Sequence, residues 1–234
     1  MVASVLALLA AGNLAAQLSR PGVENAGIAI EQVGSLVYPP GMIYEAISSG
    51  EVRIAISVSD EGKLTDHLVI GYTHEAFAAA AVKALKRWKY QPAQVRGEAR
   101  ASRAEIVFEF RDQGVIVQTL PGALDRRMLQ GTFGERYVYG PCRLGELDET
   151  PTPLEQLVKP MVKGDGRPHS VTVEFYIDEE GRARMPAVDR NSADDHYAAA
   201  AVMAVEQWRF KPPLRKGRPV LVRAQQLFTF DSKP

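Results

Sequence analysis

The chain of 234 residues holds a single cysteine, Cys142, so an internal disulfide framework and any cysteine-rich metal site are excluded. It has no excess of either charge. The 28 Lys and Arg balance 28 Asp and Glu, so no whole-molecule field draws it to nucleic acid or anionic lipid, and any such preference must be local. Its four histidines, His67, His74, His169 and His196, have no metal-type spacing with one another, and no metal site is expected. Cys142, in YGPCRLG, has no visible His partner and reads as structural rather than as a catalytic thiol. Glycine-rich phosphate loops, nucleophile elbows and paired-carboxylate motifs are also missing, so the expectation is a protein that is not an enzyme and carries no cofactor.

Long apolar runs are scarce too. VASVLALLAA (Val2 to Ala11) falls short of the ~20 residues a membrane-spanning helix needs before Gly12 and Asn13 interrupt it. With Ala15 and Ala16 following, it resembles a secretory h-region, so residues 1–16 are expected to be a signal peptide, although no Lys or Arg precedes the run. A truncated membrane anchor and an amphipathic surface helix are the other readings of this stretch.

What is present is a globular composition, 46% hydrophobic and 24% charged, arranged as an internal duplication. FAAAAVKALKRWKYQP (Phe77 to Pro92) returns as YAAAAVMAVEQWRFKP (Tyr197 to Pro212), and Gly62, Trp88, Gly97 and Phe110 match Gly181, Trp208, Gly217 and Phe230. In the first copy, Val52, Ile54, Ile56 and Val58 alternate with Glu51, Arg53, Ala55 and Ser57, the period-2 pattern of a half-buried strand. Turn residues SDEG (Ser59 to Gly62) lead into Leu64, Leu68, Ile70 and Tyr72, which predicts a hairpin. Thr73 is the expected N-cap of a helix whose apolar stripe is Phe77, Ala80, Ala81, Ala84, Leu85 and Trp88, and Pro92 forces it to stop. Ser102, Ala104, Ile106, Phe108 and Phe110 then alternate along a third strand.

The second copy repeats the scheme with Val171, Val173, Phe175 and Ile177, the turn DEEG, the stripe from Tyr197 to Trp208, and a last strand through Val220, Val222, Ala224, Phe228 and Phe230. Pro186 permits its second strand only an edge or bulged position. The predicted fold is α+β: two tandem β-β-α-β domains, each a three-stranded antiparallel sheet packed by one main helix after a short preceding helix. The expected domains are 30–111 and 150–232. A connector, 112–149, contains VIVQTL as one short strand. Trp88 and Trp208 read as keystones of packing rather than as stacking platforms for a cofactor.

A helix of ~16 residues spans ~24 Å and carries the chain from one end of the sheet to the other, so strand three returns antiparallel to strand one. The simplest order is 2-1-3, which leaves strand three as a free edge able to recruit an extended peptide by main-chain hydrogen bonds. Arg100, Arg103, Glu105 and Arg223 read equally as edge protection or as docking charges. Basic residues crowd the end of each helix and the start of each last strand, seven against one acid from Lys83 to Arg103 and six against one from Glu206 to Arg223. Acidic receptor segments, peptidoglycan or lipid head groups would suit these patches, and complementation of the helix dipole accounts for part of each.

Tyr38–Pro39 ahead of a short helix, G-x-V-x-I-x-I-x-V into D-E-G, an alanine-rich helix ending W-K-Y-Q-P, then Gly97 and a strand closing I-V-F-E-F together resemble the TonB C-terminal domain family. The resemblance covers about 34–110 and about 150–232. It implies a periplasmic module whose last strand captures the extended TonB box of outer-membrane receptors, passing on energy from the inner membrane. Carried over, the binding residues are Arg100, Ser102, Arg103, Ala104, Glu105, Ile106, Val107 and Phe108 in copy one, and Val220, Val222, Arg223, Gln225 and Gln226 in copy two. The second copy lacks the Tyr-Pro pair, with TPTPLEQLVKP (Thr150 to Pro160) in its place. A full transducer of this family has a transmembrane anchor and a long Pro-rich span, which this sequence does not show, so the expectation is an exported periplasmic tandem binding module. Anchoring in the inner membrane requires an upstream segment. The alternative is an envelope scaffold whose edges pair with each other or form a homodimer.

Overall fold

A computed structural model of the chain describes residues 26–32, 36–95, 97–121, 137–162, 167–188 and 195–230; the expected signal peptide over 1–16 lies outside these residues. The fold is α+β, antiparallel strands with three α-helices among the described residues, in two compact units that meet in sequence between Gly140 and Pro141. No helix among the described residues is long and apolar enough to cross a membrane.

The first unit opens with β1 (Ala29–Gln32) and α1 (Pro40–Tyr44), a short helix started by a proline at its first position, where the missing N–H costs nothing. Tyr38 explains the Tyr-Pro pair: its hydroxyl donates to the Ile47 carbonyl, and its ring stands edge-on to Phe77 at 5.4 Å. The hairpin follows as β2 (Ser49–Val58) and β3 (Leu64–Tyr72). At its turn the Ser59 hydroxyl accepts the backbone N–H groups of Glu61 and Lys63, both at 3.2 Å. Gly62 takes φ +79°, and a Cβ there would collide with the Tyr90 carbonyl oxygen, so both conformation and space require glycine.

Helix α2 (Glu75–Leu85) is capped by His74, not by Thr73 as expected: His74 Nδ1 accepts the Ala76 N–H at 3.1 Å. The Thr73 hydroxyl is turned instead toward β2, where it accepts the Glu51 N–H at 3.0 Å. The helix buries Phe77, Ala78, Ala81, Ala84 and Leu85, with Trp88 closing the layer beyond its end. Short strands then intervene before the last long one: β4 (Lys89–Gln91), which pairs with β1, and the small hairpin β5 (Ala93–Val95) and β6 (Glu98–Arg100). Next come β7 (Ser102–Arg111) and β8 (Gly114–Pro121), and the main sheet is antiparallel in the order β3-β2-β7-β8.

The second unit contains β9 (His169–Ile177), β10 (Ala183–Val188), α3 (Asp195–Glu206), the small hairpin β11 (Leu214–Arg215) and β12 (Arg218–Pro219), and β13 (Val222–Phe230). Its sheet has the order β10-β9-β13. The strand β10 is an edge, and its register slips between Arg184 and Ala187, around Pro186, with Met185 at φ +51°. At its hairpin turn Asp178 stands where Ser59 stands in the first unit, accepting the N–H groups of Glu180 at 3.1 Å and Arg182 at 2.8 Å. Gly181 takes φ +80°, and a Cβ there would collide with the Phe210 carbonyl oxygen.

The two cores share their aromatic geometry. Phe77 lies 4.8 Å from Phe110 and Tyr197 lies 4.8 Å from Phe230; Trp88 lies 5.5 Å from Phe108 and Trp208 lies 5.7 Å from Phe228. Both tryptophans are buried, and Trp208 Nε1 donates to the Val158 carbonyl at 2.9 Å. The segment after each tryptophan pairs with an upstream one, Tyr90 with Ile30 in β1 and Phe210 with Pro153. The stretch 112–149, expected as a connector, is divided: β8 completes the first sheet, and residues from Pro141 onward belong to the second unit.

Candidate functional site

The last long strand of each unit was expected to be an open edge, and the structure separates the two. In the first unit β7 is paired along both sides: with β2, for example Ile54 opposite Ile106, and with β8, for example Thr119 opposite Ile106. The open edge expected for copy one is therefore corrected. Asp112 and Gln113 form a two-residue turn between Arg111 and Gly114, and VIVQTL folds straight back onto β7.

The first-copy candidates follow from this. Ala104, Ile106 and Phe108 lie in the core under α2, and Glu105 and Val107 are buried on the opposite face of the sheet. The Glu105 carboxylate takes part in a buried ion pair with Arg53 (3.3 Å), which also binds Glu51 (2.8 Å); the Tyr137 hydroxyl donates to that same Glu51 carboxylate. Ser102 begins β7 opposite Val58, and Arg103 lies half-buried opposite Ser57. Arg100 lies outside β7, in β6, and pairs on the surface with Glu98 at 2.8 Å. Apart from Arg100, the first-copy candidates lie on β7, whose two flanks are both paired.

In the second unit β13 pairs with β9 through a continuous register, Val222 opposite Ile177 to Phe230 opposite His169. On its other side the described residues supply one short contact at the start: Cys142 donates its N–H to the Leu221 carbonyl at 2.8 Å and accepts the Arg223 N–H at 3.3 Å. Because backbone groups alternate in direction along a strand, Gln225, Leu227 and Thr229 turn their N–H and C=O groups the same way as Leu221 and Arg223. Beyond Cys142 no described strand pairs with them. The Gln226 side chain donates to the Leu227 carbonyl at 2.8 Å, a local cover on one of these acceptors.

The second-copy candidates divide accordingly. Val222 is buried in the core, Arg223 forms an ion pair with Glu174 at 2.7 Å, and Gln225 and Gln226 are exposed at the open stretch. Val220 precedes β13 and donates its N–H to the Pro213 carbonyl at 3.0 Å. Leu227 and Thr229, whose main-chain groups face outward, were not among the individually named candidates although they lie on the expected last strand, and Phe228 and Phe230 on its apolar face are only half-buried. Leu227, an aliphatic residue 56% exposed in the row opposite the helix, is the signal that could have marked the edge.

The segment that covers the start of β13 is itself held firmly. The Asp148 carboxylate accepts the N–H groups of Lys216 and Gly217, each at 2.7 Å, while the Asp148 N–H donates to the Leu214 carbonyl at 2.8 Å. The backbone bond from Gly217, then that from Lys216, holds this carboxyl below the usual carboxylate range. At the end of α3, Arg209 donates to the carbonyls of Glu206 (3.2 Å) and Trp208 (2.8 Å), so part of the second basic patch caps a helix.

The Gram-negative bacterial TonB protein C-terminal family matches residues 35–111 and 163–231, two segments consistent with two tandem copies. The chain belongs to this family. No curated protein and no solved structure matches it.

Proposed function

We propose that the chain is a TonB-like periplasmic binding module, without catalytic activity, that captures extended segments of outer-membrane receptors along the outward edge of β13. Membership of the TonB C-terminal family supports the envelope setting and the class of partner. The observation that carries the choice of strand is the run Gln225, Leu227 and Thr229, whose main-chain groups face away from β9 with no described strand beside them. Such an edge binds an extended peptide by continuing the ladder, and side chains on alternate positions supply selectivity. The first unit is the folded companion of this site, since its equivalent strand already has two neighbours.

Titrating the isotopically labelled full chain with extended peptides from receptor N-termini tests the reading. Amide shifts should concentrate at Gln225, Leu227 and Thr229, and Leu227→Pro, which deletes an outward-facing N–H, should remove them. If these three amides stay unmoved at millimolar peptide, strand capture is abandoned. Shifts at the same amides that depend on protein concentration without any peptide would favour an edge-paired homodimer instead.

A further inference from the structure

We infer that the C-terminal end of α2, where Lys83, Lys86, Arg87 and Lys89 project, docks the first unit onto an anionic phospholipid surface. The inference concerns a helix face of the first unit and is independent of strand capture by β13.

Helix geometry gathers the charges. Lys83, Lys86 and Arg87 follow one another at i, i+3 and i+4, so they share one face at the end of the helix, away from the buried Ala81, Ala84 and Leu85. Lys89 follows in β4, exposed, while its neighbour Tyr90 is turned into the core. All four cations are exposed, and among the described residues no hydrogen bond or ion pair engages any of their side chains. The acid nearest in register, Glu31 at the bulge of β1 beside Lys89, is exposed and joins none of them.

The second unit is the control for a structural role. Its helix keeps the alanine stripe and the tryptophan but has Met203, Glu206 and Gln207 where the first has Lys83, Lys86 and Arg87. Met203 is 64% exposed, so this position faces solvent in both copies and the fold does not require a cation there. Nor does the end of α2 use them. The N–H groups of Lys86, Arg87 and Trp88 donate to the carbonyls of Val82, Ala84 and Leu85, and the Tyr90 hydroxyl adds a bond to Leu85 at 2.8 Å. The helix dipole favours cations at this end, yet cations at i, i+3 and i, i+4 also repel one another, and an opposing layer of negative charge relieves that repulsion. The class of partner follows from the side chains. Three of the four are lysines, flexible point charges on the convex outer face of a helix, which suit a plane of mobile phosphates; recognition of one fixed carboxylate or phosphate favours the planar fork of arginine.

Cosedimentation of the full chain with phosphatidylcholine vesicles containing about one-third phosphatidylglycerol tests the inference. Binding should fall at least about tenfold between ~20 mM and ~500 mM salt and be absent on pure phosphatidylcholine. Each Lys or Arg near an anionic bilayer raises partitioning roughly fivefold, so Lys83→Met, Lys86→Gln and Arg87→Gln together should weaken binding ~100-fold. The single changes Lys86→Gln and Lys89→Gln, at exposed positions that leave the fold intact, should each weaken it about fivefold. Neutralising the same number of exposed cations in the second unit, Lys211, Lys216 and Arg218, should change binding by about twofold or less. An equal loss in that control reduces the effect to net charge and overturns the inference, as does equal binding to both kinds of vesicle or no binding at low salt. If a polyglutamate peptide binds through these residues while vesicles do not, the partner is an acidic protein segment and the lipid assignment falls.

Discussion

The strands β7 and β13 occupy the same place in their units, share Arg, Ala and two Phe at matching positions, and differ in what lies beside them. Eight residues after a two-residue turn supply β7 with a second neighbour, whereas β13 has only the Cys142 contact at its start among the described residues. An open edge is thus a property of a strand's surroundings, and duplication of the strand did not duplicate the edge. The fourth strand also shields the two phenylalanines, so one difference in pairing changes both which backbone groups a unit leaves open at its edge and the burial of its core.

The largest expected contrast lies in those phenylalanines. Phe108→Ala should cost ~3–5 kcal/mol, the usual range for a buried Phe, whereas Phe228→Ala should cost about half as much because its ring already meets solvent. Urea denaturation followed by indole signals, one tryptophan per unit, measures each; equal costs would break the comparison. A proline at Val107 should cost ~3 kcal/mol or more, since it removes an interior ladder bond and a buried side chain, while Leu227→Pro should cost ~1 kcal/mol or less at an edge. Hydrogen exchange in the two sheets reads that difference directly.

The turns should behave alike in substitution and differently in acid. Gly62→Ala and Gly181→Ala should each cost ~1–3 kcal/mol, because both glycines sit at positive φ against a carbonyl oxygen. In the second unit, burial of Asp178 works against its ionisation. The Arg182 N–H, together with the guanidinium groups of Arg182 (2.8 Å) and Arg184 (3.3 Å), outweighs it and holds the carboxyl below the usual range. A depressed carboxyl pKa contributes stability that is fully present above the unfolded value of ~3.9 and is lost as pH falls through the folded value. The second unit should therefore weaken below about pH 4 in a way that Asp178→Asn abolishes, at a cost of ~1–3 kcal/mol near neutrality. Ser59→Ala, in the equivalent turn, should cost ~1 kcal/mol at every pH. Thermal unfolding of the variants between pH 3 and pH 7 checks the pair.

Much of each unit was legible in the residues. Alternation marked β2, β7 and β9, turn chemistry marked Gly62 and Gly181, and the proline after each Trp motif marked the helix ends, because each signal is set by neighbours a few residues away. Pro186 likewise announced a bulged edge. Other features were less accessible. Thr73 was the expected cap of α2, and His74 takes that place while the Thr73 hydroxyl engages β2. VIVQTL was expected as one short strand within the stretch 112–149. Reading that stretch as a connector hid the hairpin that closes the first edge.

By itself the sequence determined the repeated hairpin, helix and final strand, the buried tryptophans and the glycine turns, since periodicity and backbone conformation are encoded locally. Only the tertiary structure decided that one final strand is enclosed while the other, among the described residues, has no neighbour beyond Cys142 on its outer side. Side-chain alternation reports which face of a strand is buried but carries no record of which backbone flank is bonded, and that depends on where another segment of chain comes to rest.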